Sequence, residues 1–407
     1  MIVDNGQLPV GWEVKKLGDV CQLDKSQGIY KNLPYVGMEN IESNSARFIG
    51  SIEPQSVKSS TFKFTPEHIL YGRLRPYLNK VLAPEFEGHC STEIFPIKTS
   101  EYLDRNFLLY WFLMESTVKL INATCTGARM PRANMNVVFE FEFPTPPLAE
   151  QKRIVAILDE AFEGCDRAIR NTEKNLANAR ELFESYLNAI FTKKGDWWEN
   201  KKLEDICSIK HGFAFKGEFF TNEPSDYILL TPGSFYESGG YREQGGKTKY
   251  YVGEIPYSYI LKKGDFLFAM TEQAVGLLGS SLIVPESDRF LHNQRLGLMQ
   301  VFDGFEYYND FFFYQFNTQR FRDAVQSTAS GVKVRHTSPK KLGAITVFFP
   351  PTIAAQKVIA DTLNDLYSEI QNLETIYRQK LAALKELKQS ILQKAFTGEL
   401  TADKEVA

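Results

Sequence analysis

The sequence has few cysteines, no long apolar run and no signal-peptide pattern. Its five cysteines include no C-x-x-C pair, and an odd number argues against a disulfide framework, so a reducing compartment is expected. No apolar stretch reaches the roughly 20 residues of a membrane span, and the opening residues MIVDNGQLPVGW lack a basic flank and an apolar core. These features predict a soluble, cytoplasmic protein that does not cross a membrane.

The motifs of catalytic and metal sites are also missing. The five histidines are scattered, and none pairs with cysteine or histidine at metal-ligand spacing. Neither the hydrolase G-x-S-x-G nor the Asn/Asp-Pro-Pro-Tyr/Phe set of an adenine methyltransferase is present. Residues 240–248 resemble a phosphate-binding loop, but they have one residue too many between the glycines and precede a strand-like run. The sequence therefore predicts no catalytic residue, no metal and no cofactor.

Positive charge is not in excess, although the composition is that of a folded protein. The 407 residues are 43% apolar and 13% aromatic, which predicts two or more globular domains. The formal net charge is −3, whereas a DNA-binding protein usually has a basic balance. An argument for DNA binding must therefore rest on local clusters of cations.

What the sequence does contain is a long internal repeat. PPLAEQKRIVAILDE (146–160) returns as PPTIAAQKVIADTLND (350–365), SYLNAIFT (185–192) as SILQKAFT (390–397), and WEVKKLGDVC (12–21) as WENKKLEDIC (198–207). Such a repeat indicates two copies of one structural frame. We predict globular heads at residues 1–145 (the first head) and 196–349 (the second head), and helical spacers at residues 146–195 and 350–407.

Each spacer has the pattern of one long helix with a single apolar stripe. Apolar residues recur at steps of three and four, and residues 150–192 contain no proline. About 43 residues would form roughly 65 Å of helix, and the obvious partner for so long a stripe is the other spacer. The alternative is that each helix packs only on its neighbouring head. The predicted antiparallel coiled-coil interface consists of Ile154, Leu158, Phe162, Ile169, Leu176, Phe183, Ile190, Ile359, Leu363, Leu366, Ile370, Leu373, Leu384 and Ile391.

The heads are punctuated by glycine and proline and contain both β-favouring and helical patterns. Tyr227–Thr231 and Asp265–Ala269 are β-favouring runs, and helical patterns occur near Leu103–Ile121 and Tyr307–Val325. The predicted fold class is α/β (α+β), with two mixed α/β domains separated by two long antiparallel helices in a pseudo-two-fold arrangement.

A basic loop that contains a glycine closes each head. The loops are TCTGARMPRAN (124–134) and TASGVKVRHTSPKK (328–341), and both mix cations with the hydroxyl, amide or imidazole groups that suit phosphates and base edges. A solvated surface loop is the competing explanation, and recurrence in both heads makes the two explanations equally good. The candidate DNA-binding residues are Arg73, Arg75, Lys80, Arg129, Arg132, Asn134, Arg242, Lys247, Lys249, Lys333, Arg335, His336 and Lys340.

The order of head, PP-x-x-E-Q helix, head and second helix resembles the specificity subunit of type I restriction-modification enzymes. The segments Leu8–Glu13, Trp198–Glu199 and Gly212–Lys216 fit the same pattern, whereas Ala355-Gln356 stands where Glu-Gln is usual, which puts local contacts of that helix start in question. The resemblance implies that each head is a target recognition domain for one half of a bipartite, asymmetric site in double-stranded DNA.

The same resemblance implies the partners of the chain. The helix pair would set the half-site spacing and dock two methylation (M) subunits carrying S-adenosylmethionine, together with restriction (R) subunits that use ATP. The chain itself would be a non-catalytic subunit without a cofactor. Two other classes stay open: a coiled-coil scaffold whose heads bind proteins, and a nucleotide-using enzyme built on the imperfect phosphate loop.

Overall fold

The computed structural model describes residues 8–127, 129–273 and 275–402. The expected domain limits at residues 1 and 407 lie outside these ranges. The chain divides into two compact units, one formed by Met1–Glu173 with Tyr377–Ala407 and the other by Lys174–Ile376. Each unit therefore contains one head together with segments of both long helices.

The first unit holds a mixed α/β head. Its described strands are β1 (Glu13–Lys16), β2 (Cys21–Leu23), β3 (Gln27–Gly28), β4 (Tyr35–Val36), β5 (Thr61–Phe64), β6 (His68–Gly72), β7 (Val81–Leu82), β8 (Gly88–Cys90), β9 (Ile94–Thr99) and β10 (Glu142–Thr145). Its helices are α1 (Leu17–Val20), α2 (Arg105–Leu113), α3 (Glu115–Ala123), α4 (Met135–Val138) and the first part of α5 (Leu148–Thr192).

An antiparallel main sheet organises the first head, with strand order β2-β9-β6-β7. A second sheet has the order β3-β5-β8-β4, in which β4 and β8 run parallel. Strand β1 pairs antiparallel with β10, so the beginning and the end of this head's chain segment lie side by side. Phe107, Trp111 and Phe112 of α2 are fully buried in the core, so α2 is the central helix of this head.

The second unit repeats this plan. Its described strands are β11 (Glu199–Lys202), β12 (Cys207–His211), β13 (Phe220–Thr221), β14 (Ile228–Leu230), β15 (Tyr250–Tyr251), β16 (Phe266–Ala269), β17 (Thr271–Glu272), β18 (Ser281–Ile283), β19 (Phe290–His292), β20 (Leu296–Val301), β21 (Arg335–His336) and β22 (Thr346–Phe349). Its helices are the last part of α5, α6 (Asn309–Phe316), α7 (Gln319–Ser327), α8 (Pro339–Gly343) and the first part of α9 (Ile353–Thr397), whose last part belongs to the first unit.

The two heads share the main sheet and differ in the second one. The order β12-β20-β16-β18 matches the main sheet of the first head strand for strand. The second sheet, β13-β15-β14-β19, keeps one parallel pair, β14 with β19, but β15 joins β14, whereas its counterpart β5 joins β8. The predicted class of mixed α/β heads with two long helices is confirmed, and the heads are related but not identical.

The long helices run antiparallel where they meet. In the second unit, Arg180 Nε lies 2.8 Å from Glu374 Oε1, and the Phe183 ring centroid lies 5.4 Å from that of Tyr367. Higher numbers on α5 thus meet lower numbers on α9. In the first unit, Lys388 of α9 pairs with Asp166 of α5 at 2.7 Å.

The helices also pack on the heads. Ile154 and Leu158 belong to the core of the first head, and Leu363 belongs to that of the second. Among the predicted interface residues, Ile154, Leu158, Phe162, Leu363 and Ile370 are buried, and Leu373 is 38% exposed. The half-buried ones are Ile169, Leu176, Phe183, Ile190, Ile359, Leu366, Leu384 and Ile391. Burial of the stripe is therefore shared between helix and head.

A buried glutamine, repeated in the sequence, makes equivalent hydrogen bonds at the start of each long helix. Gln151 is fully buried; its Nε2 donates to the carbonyls of Pro146 (2.8 Å) and Tyr102 (2.9 Å), and its Oε1 accepts from the Asp104 N–H (2.7 Å). This side chain ties the start of α5 to the start of α2, the central helix of the first head.

Gln356 repeats the same three hydrogen bonds in the second unit. Its Nε2 donates to the carbonyls of Pro350 (2.9 Å) and Glu306 (3.0 Å), and its Oε1 accepts from the Tyr308 N–H (2.9 Å). None of these bonds involves the preceding residue, so the Ala355 departure leaves this contact intact.

Candidate nucleic-acid interface

The two basic loops form the same hairpin. Thr126 and Arg132 exchange two backbone hydrogen bonds of 3.1 Å, and Ser330 and His336 exchange bonds of 3.0 and 2.9 Å. We call residues 126–132 the first hairpin and residues 330–336 the second hairpin. Each has a glycine after its first residue, Gly127 (φ +91°) and Gly331 (φ +100°), in the left-handed region that favours glycine. The resemblance between the loops is therefore structural as well as compositional.

Each hairpin lies against the segment that follows an inner strand of the main sheet. In the first head, Arg75 N–H donates to the Pro131 carbonyl (2.7 Å) and Ala133 N–H to the Arg73 carbonyl (2.9 Å). In the second head, β17 pairs with β21, with Thr271 opposite His336. The structure thus brings Arg73, Arg75 and Arg132 together, as their separate positions in the sequence could not show.

Glu93 holds two of these arginines. Its carboxylate accepts from Arg132 Nε (3.0 Å) and Nη2 (2.8 Å) and from Arg73 Nε (3.2 Å). The Arg132 hydrogen bond is the largest of the effects that lower the Glu93 pKa, and the same bond raises the Arg132 pKa. Both partners stay charged, and the guanidinium groups are held in fixed positions before any ligand binds.

Of the other candidates in the first head, some are exposed and others are hydrogen-bonded within the head or half-buried. Arg75 and Arg129 are exposed, and Arg75 has a left-handed backbone (φ +51°), which is uncommon for a residue other than glycine. Lys80 Nζ instead donates to the carbonyls of Met38 (2.6 Å) and Ile41 (2.8 Å). Asn134 is half-buried, and its N–H donates to Thr124 Oγ1. Arg75 and Arg129 are therefore the groups best placed to meet a ligand.

The second hairpin follows the same division. Lys333, His336 and Lys340 are exposed. Arg335 is half-buried; its Nη1 lies 3.2 Å from Glu272 Oε1, and its Nη2 donates to the Gln326 carbonyl (3.3 Å). Neither Glu93 nor Glu272 could be singled out from the sequence, because each carboxylate comes from a part of the head that is far from its hairpin in the chain.

The remaining candidates lie outside the second hairpin. Arg242 is exposed and follows residues 236–240, which hydrogen-bond residues 280–281. Lys247 and Lys249 are exposed beside the small second sheet. The segment that resembles a phosphate loop contains only a short 3-10 turn, Gly245–Lys247, and continues into β15. It therefore lacks the helix N-terminus with which a phosphate loop holds its ligand.

Two further properties bear on the kind of site. Among the described residues, no group of three or more His, Cys, Asp or Glu side chains is arranged to hold a metal ion. None of the helices described is both long enough and apolar enough to span a bilayer.

Comparison with known proteins identifies a family over most of the chain. A family model for the type I restriction modification DNA specificity domain matches residues 9–178 and again residues 196–381. Two curated relatives align along almost the whole chain. The EcoKI specificity subunit of Escherichia coli K12 is 23% identical, covering 98% of this chain and 91% of that protein. The MjaVIII specificity subunit of Methanocaldococcus jannaschii is 21% identical, covering 97% and 94%.

Another relative aligns over a shorter stretch. The E. coli EcoDI specificity subunit is 29% identical over 189 residues, and this match spans only 42% of that protein's length. Among solved structures, a chain from a study of complex assembly in a type I R-M system has a TM-score of 0.79 at 20% identity, covering 97% of this chain and 99% of that chain. The HsdS subunit of Thermoanaerobacter tengcongensis has a TM-score of 0.59 at 19% identity, covering 97% and 98%. The fold is therefore shared over 97% of this chain.

Proposed function

The chain belongs to the type I restriction modification DNA specificity family, and on that premise we propose that it is the specificity subunit of a type I restriction-modification complex. Each head reads one half of a bipartite, asymmetric site in double-stranded DNA. The two long helices set the spacing of the half-sites. They also dock two methylation subunits that carry S-adenosylmethionine, and restriction subunits that use ATP. The chain itself is a non-catalytic subunit without a cofactor.

The observation that carries this proposal is one hairpin backbone built twice with different side chains. TGARMPR and SGVKVRH close with the same pair of backbone hydrogen bonds, and each exposes a cation two residues after its glycine, Arg129 or Lys333. Base edges are distinguished by side-chain donors, acceptors and apolar groups, so a shared frame with different side chains suits two different half-sequences.

The net charge of the heads suits a complex in which base recognition and phosphate attraction come from different subunits. In each head, acidic residues outnumber basic residues by one. Non-specific attraction to DNA comes from cations that displace counterions from phosphates. In this proposal the hairpins supply local cations for recognition, and the partner subunits supply much of the phosphate attraction.

DNA binding by the complex tests the proposal against the scaffold alternative. The chain, assembled with its methylation subunit, is titrated onto labelled duplex DNA at several salt concentrations. We expect affinity that falls steeply as salt rises, with a slope in proportion to the phosphates contacted. The methylation subunit alone is the control. Binding that is no tighter with this chain present than without it would favour a protein-binding scaffold.

A further inference from the structure

One buried carboxylate of the second head gathers an unusual number of partners. Glu272 is 2% exposed, and its Oε2 accepts from the backbone N–H groups of Gly276 (3.2 Å), Leu277 (3.0 Å) and Leu278 (2.8 Å). The same oxygen accepts from Gln326 Nε2 (3.1 Å) on α7. The other oxygen, Oε1, faces the Arg335 guanidinium of the second hairpin at 3.2 Å.

A buried arginine on α7 holds the same segment from its carbonyl side. Arg322 is 8% exposed; its Nε donates to the Leu278 carbonyl (3.2 Å), and its Nη2 donates to the Gly276 carbonyl. Burial, the main cause, lowers the pKa of the Arg322 guanidinium to about 10, so this side chain stays charged at neutral pH. Gly276–Leu278 is thus held through three N–H groups by Glu272, and through the carbonyls of Gly276 and Leu278 by Arg322.

Leu278 of this segment is fully buried, but exposed valines stand immediately before the segment and in the second hairpin. Val275 is 74% exposed, and Val332 and Val334 of the second hairpin are 98% and 44% exposed. Apolar side chains on a rigid basic surface that faces DNA can contact thymine methyl groups. On a surface that faces only water they have no such partner. The first head has no carboxylate at the place of Glu272, because the same position after the inner strand is Arg75, and it holds its hairpin from Glu93 instead.

We propose that Glu272 is a positioning residue for DNA recognition by the second head. Its carboxylate fixes Gly276–Leu278 and the second hairpin to one another, so that the adjoining Val275 and the hairpin side chains meet the second half-site as one surface. Arg335 acts in this proposal as a tether to Glu272 and not as a direct reader of bases. The inference rests on the proposed function and adds Val275 to the reading surface.

The test compares Glu272→Gln with wild type in the complex with the methylation subunit. Glutamine keeps an acceptor for the backbone N–H groups but loses the charge that holds Arg335. Methylation rates are measured on duplexes in which each base of either half-site is changed in turn. We expect discrimination at the second half-site to fall by roughly tenfold or more, the amount of one good base contact, with the first half-site unchanged. Glu93→Gln should give the mirror result.

Two further variants separate positioning from general damage. Arg335→Met breaks the same ion pair from its more exposed side and should give the same change, and the double variant should add little to either single one. Asp265→Asn removes the charge from another carboxylate of the second head, which is half-buried and accepts from the Lys262 N–H (2.8 Å), and should leave base preference at both half-sites unchanged.

Each outcome has a distinct meaning. Tighter DNA binding by Glu272→Gln would overturn the inference, because it would show that Glu272 merely competes with DNA for Arg335. Unchanged discrimination, or equal loss at both half-sites, would also overturn it while leaving the proposed function in place. A wild-type complex that methylates no bipartite site would instead overturn the proposed function itself.

Discussion

Arg129 and Lys333 occupy equivalent places in the two hairpins, and both side chains are exposed. We predict that Arg129→Ala weakens recognition of the first half-site only and Lys333→Ala that of the second only. A lost base-edge contact should cost about 1–3 kcal/mol for the cognate sequence, whereas a lost phosphate contact should weaken all sequences alike. Binding of the assembled complex to a panel of duplexes measures the difference. Unchanged affinity in both variants would remove the hairpins from the interface.

Side chains buried at the helix starts should matter for stability. Gln151→Ala leaves the Asp104 N–H and two carbonyls without the partners that Gln151 supplies, which we expect to lower the free energy of unfolding by about 2–4 kcal/mol. Gln356→Ala should have a similar effect on the second unit. The exposed Gln393 on α9 provides a matched control, and its replacement by alanine should change stability by less than about 0.5 kcal/mol. Denaturant unfolding is the measurement, and equal effects in all three variants would contradict this account.

At the scale of residues, the sequence points to side chains whose chemistry repeats locally, and it does not reveal partners that are distant in the chain. The cations of the hairpins could be picked out because each loop recurs in the matching place of the repeat. Glu93 could not, since it lies 39 residues before Arg132 and 20 residues after Arg73, the two arginines that it binds. A single carboxylate in a chain carries no mark of the partner that folding brings to it.

At the scale of elements, the long helices were predictable and the head helices were not fully so. α5 and α9 follow from an unbroken apolar period, and α9 ends where Gly398 takes a left-handed φ of +81°. The single helical pattern near Leu103–Ile121 is divided into α2 and α3 because Met114 adopts extended backbone. The pattern near Tyr307–Val325 is divided before α7, where Thr318 caps the new helix through the Phe321 N–H. Apolar spacing alone does not reveal such local competition.

Strand β19 contains a histidine that should make stability depend on pH. His292 is fully buried, its Nε2 donates to the Leu296 carbonyl (3.0 Å), and among the described residues its Nδ1 has no hydrogen-bond partner. Burial, the main cause, lowers its pKa from 6.5 to about 4. As pH falls, the imidazole is protonated at a higher pH in the unfolded chain than in the folded one. The stability that neutral His292 contributes is therefore fully present above pH 6.5 and is lost as pH falls towards 4.

The expected slope in that window is at most about 1.4 kcal/mol per pH unit from this residue. Denaturant unfolding of wild type and His292→Gln between pH 4.5 and 7 measures it. The variant should be less stable at pH 7 and should show a shallower decline on acidification. Parallel stability curves for the two proteins would show that His292 does not titrate in this range.

At the scale of the whole molecule, the length of the helices should determine the distance between half-sites. Deleting Thr172–Asn178 and Tyr377–Ala383 removes one heptad from each helix and keeps the apolar stripes in phase. This shortens each helix by ~10 Å, so the preferred spacer should lose about three base pairs. Methylation of duplexes with different spacers measures the preference. A complex that still prefers the original spacing would refute the proposal that the helices set it.

The repeat also predicts what a half-length chain would do. Leu392 and Phe396 fill the core of the first head, with the Phe396 ring centroid 4.6 Å from that of Phe107. Leu187 and Phe191 hold the same places in the second head, with Phe191 5.4 Å from Phe311. A chain ending after Thr192 could therefore fill the vacant places of the first head with residues 187–191 of a second copy.

We expect this fragment to dimerise and, with methylation subunits, to mark an inverted repeat of the first half-site, because both heads would then be identical. Sedimentation analysis and motif mapping are the two measurements. Phe191→Ala in the same fragment is the control and should weaken the dimer. A monomeric fragment, or a non-palindromic site, would contradict the prediction.

The most direct test of the central claim is the methylated motif itself, mapped in the DNA of cells that express this chain with its methylation subunit. We expect one bipartite motif with two different defined halves, separated by a fixed number of unspecified bases. Exchanging residues 196–349 for those of a related chain should alter one half alone. A continuous motif, or methylation that is the same without this chain, would contradict the account.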